Sequence, residues 1–243
     1  MSADVGPGVE AGAVHLVIGD GRTTSGASDE RFVIDGSAVV LDLDGVLADS
    51  HTAWVDAERR AVEELGGHWR PSTGGTAQGT APSVASAELA ARCGLDGRQR
   101  DVDVATRRQA VARFPDLVQP MDGARRFVAS VVDLVPVAVA TNAARPIAEV
   151  TLRSIGLADL LRVLVTVDDV PSGKPAPDVY LAAAALLEAQ PRRCIAIDDT
   201  TTGLRAAVAA GMRTLAFGPP ADVPDQAVGV IGGWSDVTVM PAP

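Results

Sequence analysis

Seven polar residues in this sequence stand at or just after the ends of apolar runs. Asp42 and Asp44 close "SAVVLDLD", and Thr141 and Asn142 follow "PVAVA". Lys174 lies in "VDDVPSGKPAPD", and Asp198 and Asp199 follow "RCIAI". Two unit charges about 4 Å apart repel by about 4 kcal/mol at an effective dielectric of about 20. Four carboxylates brought to one place therefore need a counter-charge. A hard divalent cation with oxygen ligands supplies it, and Mg²⁺ is the usual choice beside a phosphate. A lysine and a threonine hydroxyl at the same place are phosphate-binding groups. The chemistry in view is metal-assisted reaction of a small phosphate ester.

That chemistry requires elements that bring the seven residues together. "SAVVLDLD" is a continuous apolar run, the pattern of a strand buried on both faces. "SHTAWVDAERRAVEELGG" predicts a helix with Asp49 or Ser50 as N-cap and Gly66 as its stop. Two more helical segments follow, "SVASAELAARCG" and "RQRDVDVATRRQAVARF", the latter with Val104, Val111 and Phe114 on one face. From about residue 122 the pattern alternates strictly. Helices over about 122–133, 144–155, 176–189 and 201–210 are followed by the strands "PVAVAT", "RVLVTV", "RCIAID" and "RTLAF". This predicts an α/β fold, a Rossmann-like doubly wound parallel sheet with an inserted α-helical domain. Such sheets bind ligands at the carboxyl ends of their strands, where the seven residues fall. The expected division is an N-terminal extension over 1–36, a core over 37–50 and 119–243, and a helical insertion over 51–118. The extension is either a peripheral hairpin, with "AVHLVIGDG" and "RFVIDG" as strands, or a mobile tail.

Composition narrows the partners. The net charge of −10 and pI of about 4.7 argue against nucleic acid and anionic membranes. With 47% hydrophobic and 3% aromatic residues, the core is built of Ala, Val, Leu and Ile. Cys93 and Cys194 lack metal-ligand spacing and form no disulfide framework. Neither a signal peptide nor a membrane span is legible, which predicts a cytoplasmic protein. Nothing in the sequence sets an oligomeric state.

The four motifs, in order, resemble those of the haloacid dehalogenase-like hydrolase superfamily, in its phosphatase and β-phosphoglucomutase-like branch. "DLDGV" matches the first motif, "TN" the second, "GKPAPD" the third and "IDDTTTGLRAAVAAGM" the fourth, over about residues 37–218. The resemblance implies that Asp42 is the nucleophile and Asp44 the general acid and base, with its backbone carbonyl on the metal. It implies phosphate binding by Thr141, Asn142 and Lys174, and metal binding by Asp42, Asp44, Asp199 and Asp198. The family often has Glu-Asp at the last pair, so Asp198 is a shorter variant. Gly203 would permit close packing there.

By the same resemblance residues 51–118 are a cap that closes over the substrate and excludes water. Arg70, Thr76, Gln78 and Thr80 in its polar loop are candidates for recognising a sugar or polyol. Asp49, Asp168 and Asp169 read as cap and loop residues, Arg145 as a solvated or substrate-touching arginine, and His51, His68 and Trp69 as structural or exposed. In β-phosphoglucomutases the helix after the first motif carries a histidine and the cap a phosphate-gripping arginine. Here Trp54 best matches the histidine, and "AQGTAPSVAS" lacks the arginine. Hydrolysis of a small phosphate ester is therefore expected. A phosphomutase and a catalytically silent binding protein are the alternatives.

Overall fold

The computed structural model describes residues 13–18, 32–75, 81–220 and 222–242. Strand β3 (Ala38–Leu41) lies inside a six-stranded sheet, and all four of its side chains are buried. To one side run β8 (Cys194–Asp198), β9 (Arg213–Phe217) and β10 (Gly229–Ile231); to the other run β6 (Val137–Ala140) and β7 (Val163–Val165). The order is β10-β9-β8-β3-β6-β7, and every pairing is parallel. Helices α4 (Ala124–Val131), α5 (Arg145–Ser154), α6 (Asp178–Leu186) and α7 (Thr201–Ala209) make the crossovers. The pleat sends alternate residues to opposite layers. Val39, Leu41, Val139, Ile195 and Ile197 join one core with Phe127, Ile147 and Trp234. Ala38, Val40, Ala138, Ala140 and Ala196 join the other, against Val179, Tyr180 and Ala206. The second layer is mostly alanine, so α6 and α7 approach the sheet closely.

A helical insertion interrupts the core after β3. Its entry and exit are β4 (Ala48–Asp49) and β5 (Gln119–Pro120), paired antiparallel with Ala48 opposite Pro120. Between them lie α1 (His51–Glu64), α2 (Pro82–Arg92) and α3 (Gln99–Leu117). Ser50 is the N-cap residue of α1, but its hydroxyl makes no capping bond. Gly66, at φ 75°, ends the helix where a side chain would be strained. The expected apolar face of α3 needs correction. Phe114 is buried, but Val104 and Val111 are exposed. The helix instead buries Val102, Ala105, Thr106, Ala110 and Phe114. Small residues at a four-residue spacing let α1 and α2 pack close to α3, and the two valines are left on the outside.

β1 (Val14–Ile18) and β2 (Phe32–Gly36) pair antiparallel, and β11 (Val237–Pro241) pairs with the free edge of β1. Val14, Leu16 and Ile18 are fully buried against the core. β10 and β11 are strands that the sequence pattern did not mark. No helix among the described residues is long and apolar enough to cross a membrane.

Candidate active site

The carboxyl ends of β3, β6 and β8 meet at one rim. Asp42 follows β3 directly, and its N–H donates to Ile197 O at 2.9 Å, which continues the ladder with β8. The residue is only 6% exposed. Lys174 enters from the loop after β7. It is 2% exposed, and its Nζ donates to Asp42 Oδ1 at 2.5 Å and to Asp198 Oδ2 at 2.7 Å. Asn142 fixes that loop in place: its Oδ1 accepts from Lys174 N at 2.7 Å and its Nδ2 donates to Lys174 O at 3.1 Å. The Asn142 side chain, expected on phosphate, is thus committed to the backbone of Lys174. Thr141 is buried, and its Oγ1 accepts from Ala143 N at 3.0 Å, which leaves its own O–H to donate.

Asp198 and Asp199 differ sharply although they are neighbours. Asp198 is fully buried, and both its oxygens are taken by protein donors. Oδ2 accepts from Lys174 and from Tyr180 OH at 2.6 Å; Oδ1 accepts from Thr200 N at 2.9 Å and Thr200 Oγ1 at 2.8 Å. Asp199 Oδ1 is buried with no hydrogen-bond partner among the described residues. Two glycines make room for this pair. A Cβ on Gly45, whose φ is 82°, would lie 2.0 Å from Asp199 Oδ2, and one on Gly203 would lie 1.9 Å from Asp198 Oδ2.

Four carboxylates therefore surround one ammonium. Burial raises the Asp42 carboxyl well above its usual range, Lys174 opposes the shift, and Asp198, Asp199 and Asp44 add to it. Burial and the adjacent Asp198 push Asp199 up to about 7. Burial works against charge on Lys174, but Asp198 and Asp42 outweigh it and raise its pKa. Asp42, Asp198 and Asp199 each offer an oxygen within 4.8 Å of the others. Excess negative charge together with an orphaned carboxylate oxygen fits a hard divalent cation.

A model of haloacid dehalogenase-like hydrolases matches residues 37–211. The chain belongs to this family. Within the family it is a phosphatase. It is 32% identical over 177 residues to validoxylamine A 7'-phosphate phosphatase of Streptomyces hygroscopicus subsp. limoneus, covering 71% of this chain and 81% of that protein. It is 28% identical over 188 residues to the phosphorylated carbohydrates phosphatase of Thermotoga maritima, covering 73% and 83%. The fold matches that of CbbY from Rhodobacter sphaeroides with a TM-score of 0.72 at 23% identity, over 82% of this chain and 95% of that one.

In this haloacid dehalogenase-like hydrolase the cap completes the site. Asp44 Oδ1 accepts from Ser50 Oγ at 2.5 Å and from Trp54 Nε1 at 3.1 Å. Burial raises its pKa, and those two bonds and Lys174 oppose the rise. The site opens into a cleft of about 790 Å³, including the space at its mouth, between the rim and the inner faces of α1, α2 and α3. Arg70 is exposed and does not line this cleft. Thr76, Gln78 and Thr80 lie outside the described residues. Asp49, His51 and His68 are exposed, and Trp69 packs against the cap core. Asp169 caps its own turn through Thr166 N at 2.7 Å and pairs with Arg145 at 2.6 Å. Asp168 accepts from Arg145 N at 2.8 Å. Asp168 and Asp169 are thus both engaged by Arg145 beside the cleft.

Sequence reasoning missed Tyr180 and Trp234. The chain has a single tyrosine, set in the apolar helix α6. A buried phenol must find a partner, and that requirement was the available signal. Trp234 Nε1 donates to Val46 O at 2.9 Å and steadies the loop after Asp44, while its ring stacks on Phe127. Nothing local in the sequence marks that contact.

Proposed function

We propose that this phosphatase uses Mg²⁺ and hydrolyses a small phosphorylated sugar or polyol through an aspartyl-phosphate. The convergence of Asp42, Lys174, Thr141, Asp44 and Asp199 on one cleft carries this reading. Asp42 is the nucleophile: its carboxylate oxygen attacks phosphorus and the ester P–O bond breaks. Asp44 gives its proton to the leaving alkoxide, so the alcohol departs neutral. In the second half Asp44 takes a proton from water as the water oxygen attacks phosphorus. The bond to Asp42 breaks and inorganic phosphate leaves. Lys174 and the Thr141 hydroxyl hold the phosphoryl oxygens. Asn142 acts on Lys174 rather than on substrate. Mg²⁺, held by Asp42, Asp199 and the Asp44 carbonyl, would neutralise the charge that gathers on those oxygens. Asp198 orients Lys174 and completes the acidic group.

The names of the relatives support the substrate class, since one hydrolyses phosphorylated carbohydrates. Two features favour hydrolysis over phosphoryl return. Trp54 offers Asp44 only a donor, where β-phosphoglucomutases have histidine. Arg107, which with Lys174 provides the cations among the described cleft residues, is already paired with Asp103 and Asp168. The test is product analysis on sugar and polyol monophosphates with Mg²⁺ and a bisphosphate primer. Inorganic phosphate as the main product, abolished by chelation, is expected. A dominant yield of phosphate-shifted isomer, or full turnover in excess EDTA, refutes the assignment.

A further inference from the structure

Thr106, in the cap roof, is 8% exposed and lines the cleft, and its Oγ1 has no hydrogen-bond partner among the described residues. Buried helical hydroxyls elsewhere in the chain bond back to the preceding turn. Thr151 donates to Ile147 O at 2.9 Å and Ser86 to Pro82 O at 2.8 Å. Thr106 makes no such bond, so the cost of burying its hydroxyl is unmet by protein. Asp103 stands one turn earlier on the same face of α3 and also lines the cleft. Its carboxylate is oriented by Arg107 Nε at 3.0 Å and Ser86 Oγ at 3.4 Å. Arg107 also reaches Asp168 on the core at 3.4 Å, so its charge is shared between two carboxylates. The roof thus presents a free hydroxyl and an aimed carboxylate, with no uncommitted cation for a second phosphate among the described cleft residues. Ala85, Leu89 and Ile147 beside them suit a carbon skeleton.

We propose that Asp103 and Thr106 form the specificity-determining pair of the cap and read adjacent hydroxyls on the alcohol half of a polyol or sugar monophosphate. Asp103 accepts a hydrogen bond from one substrate hydroxyl, and Thr106 Oγ1 exchanges one with its neighbour. The proposal rests on the phosphatase reading above.

The test measures kcat/KM with Mg²⁺ for sorbitol 6-phosphate, fructose 1-phosphate, fructose 1,6-bisphosphate and glycerol 3-phosphate, each divided by that for p-nitrophenyl phosphate, which has no alcohol hydroxyls. For the best polyol substrate, this ratio should fall about tenfold in Thr106→Val and in Asp103→Asn, the scale of one lost hydrogen bond. Val104→Ala, on the exposed face of α3, should leave the ratio unchanged. Thr106→Val should also melt no lower than the parent, because the lost hydroxyl bonds to no protein group among the described residues; a purely structural threonine would melt lower. An unmoved ratio in both variants overturns the proposal. So does a parent that prefers fructose 1,6-bisphosphate to fructose 1-phosphate, or one that favours the aryl ester over every polyol phosphate. A parent that releases phosphate from none of these esters brings down the phosphatase reading itself, a different outcome from the preceding ones.

Discussion

Asparagine at position 198 and asparagine at position 199 should act in opposite directions on stability, although the two residues are adjacent and identical. Asp198 accepts four hydrogen bonds, two on each oxygen. An amide keeps one acceptor oxygen and turns an NH₂ toward donors on the other side. Facing Lys174 and Tyr180, it meets two donors. Facing Thr200, it leaves a buried N–H unpaired, which costs about 1–3 kcal/mol. In either orientation the ionised partner of Lys174 becomes neutral. Breaking a buried ion pair outright costs about 3–5 kcal/mol. Asp42 still pairs with Lys174, so the expected loss for Asp198→Asn is about 2–4 kcal/mol. In a chain of this size that lowers Tm by roughly 5–15 °C. Asp199→Asn removes a carboxylate whose buried oxygen has no protein partner and which repels its neighbours. Its Tm in EDTA should hold or rise. The stabilisation by saturating Mg²⁺, about 3 kcal/mol at a hundred times Kd in the parent, should largely vanish. Thermal melts of parent and both variants, in EDTA and in Mg²⁺, measure all of this. The division of roles is wrong if Asp198→Asn is as stable as the parent in EDTA, or if Asp199→Asn keeps the full Mg²⁺ shift.

Two further outcomes follow from the same geometry. Trp54→Phe removes the donor to Asp44 Oδ1 but keeps a ring against Phe114, now 5.0 Å away edge to face, so kcat should drop about tenfold while Tm changes little; an unchanged kcat would show that Asp44 needs no such positioning. Asp199 is raised from 3.8 to about 7, so the metal-free protein binds its proton more tightly than the unfolded chain does, and that contribution to stability is lost as pH rises from about 4 through 7. The rise in Tm on adding Mg²⁺ should therefore be larger at pH 8 than at pH 6, and an equal or reversed difference would count against Asp199 as the titrating ligand.

The parallel core was legible because its strands are buried on both faces and read as unbroken apolar runs. The residues of the site stand where those runs stop, as with Asp42 after Leu41 and Asp198 after Ile197. Other features needed three dimensions. Adjacent identical aspartates carry no mark of which one the protein saturates with donors. In α3 the buried stripe contains Ala105, Thr106 and Ala110, and two valines point outward, so hydrophobicity alone selected the wrong face. Thr106 was hidden for the same reason: a threonine in a polar helix looks ordinary until its burial is seen. β11 has a mixed composition, and what makes it a strand is a partner far earlier in the sequence.

That partner has a consequence for biosynthesis. β1 can pair early with β2, which is close in sequence, but its other edge is filled by β11, where Leu16 faces Val239. Contacts of such wide sequence separation form late, because a long loop must close first. During translation β1 is made long before β11. For most of that interval Val14, Leu16 and Ile18 lack their final cover, beside a row of unpaired backbone groups. An open aliphatic edge is a template for pairing with another nascent chain. Yield of native protein in the cell should therefore respond to elongation rate and to holdase chaperones, even for variants whose finished fold is as stable as the parent.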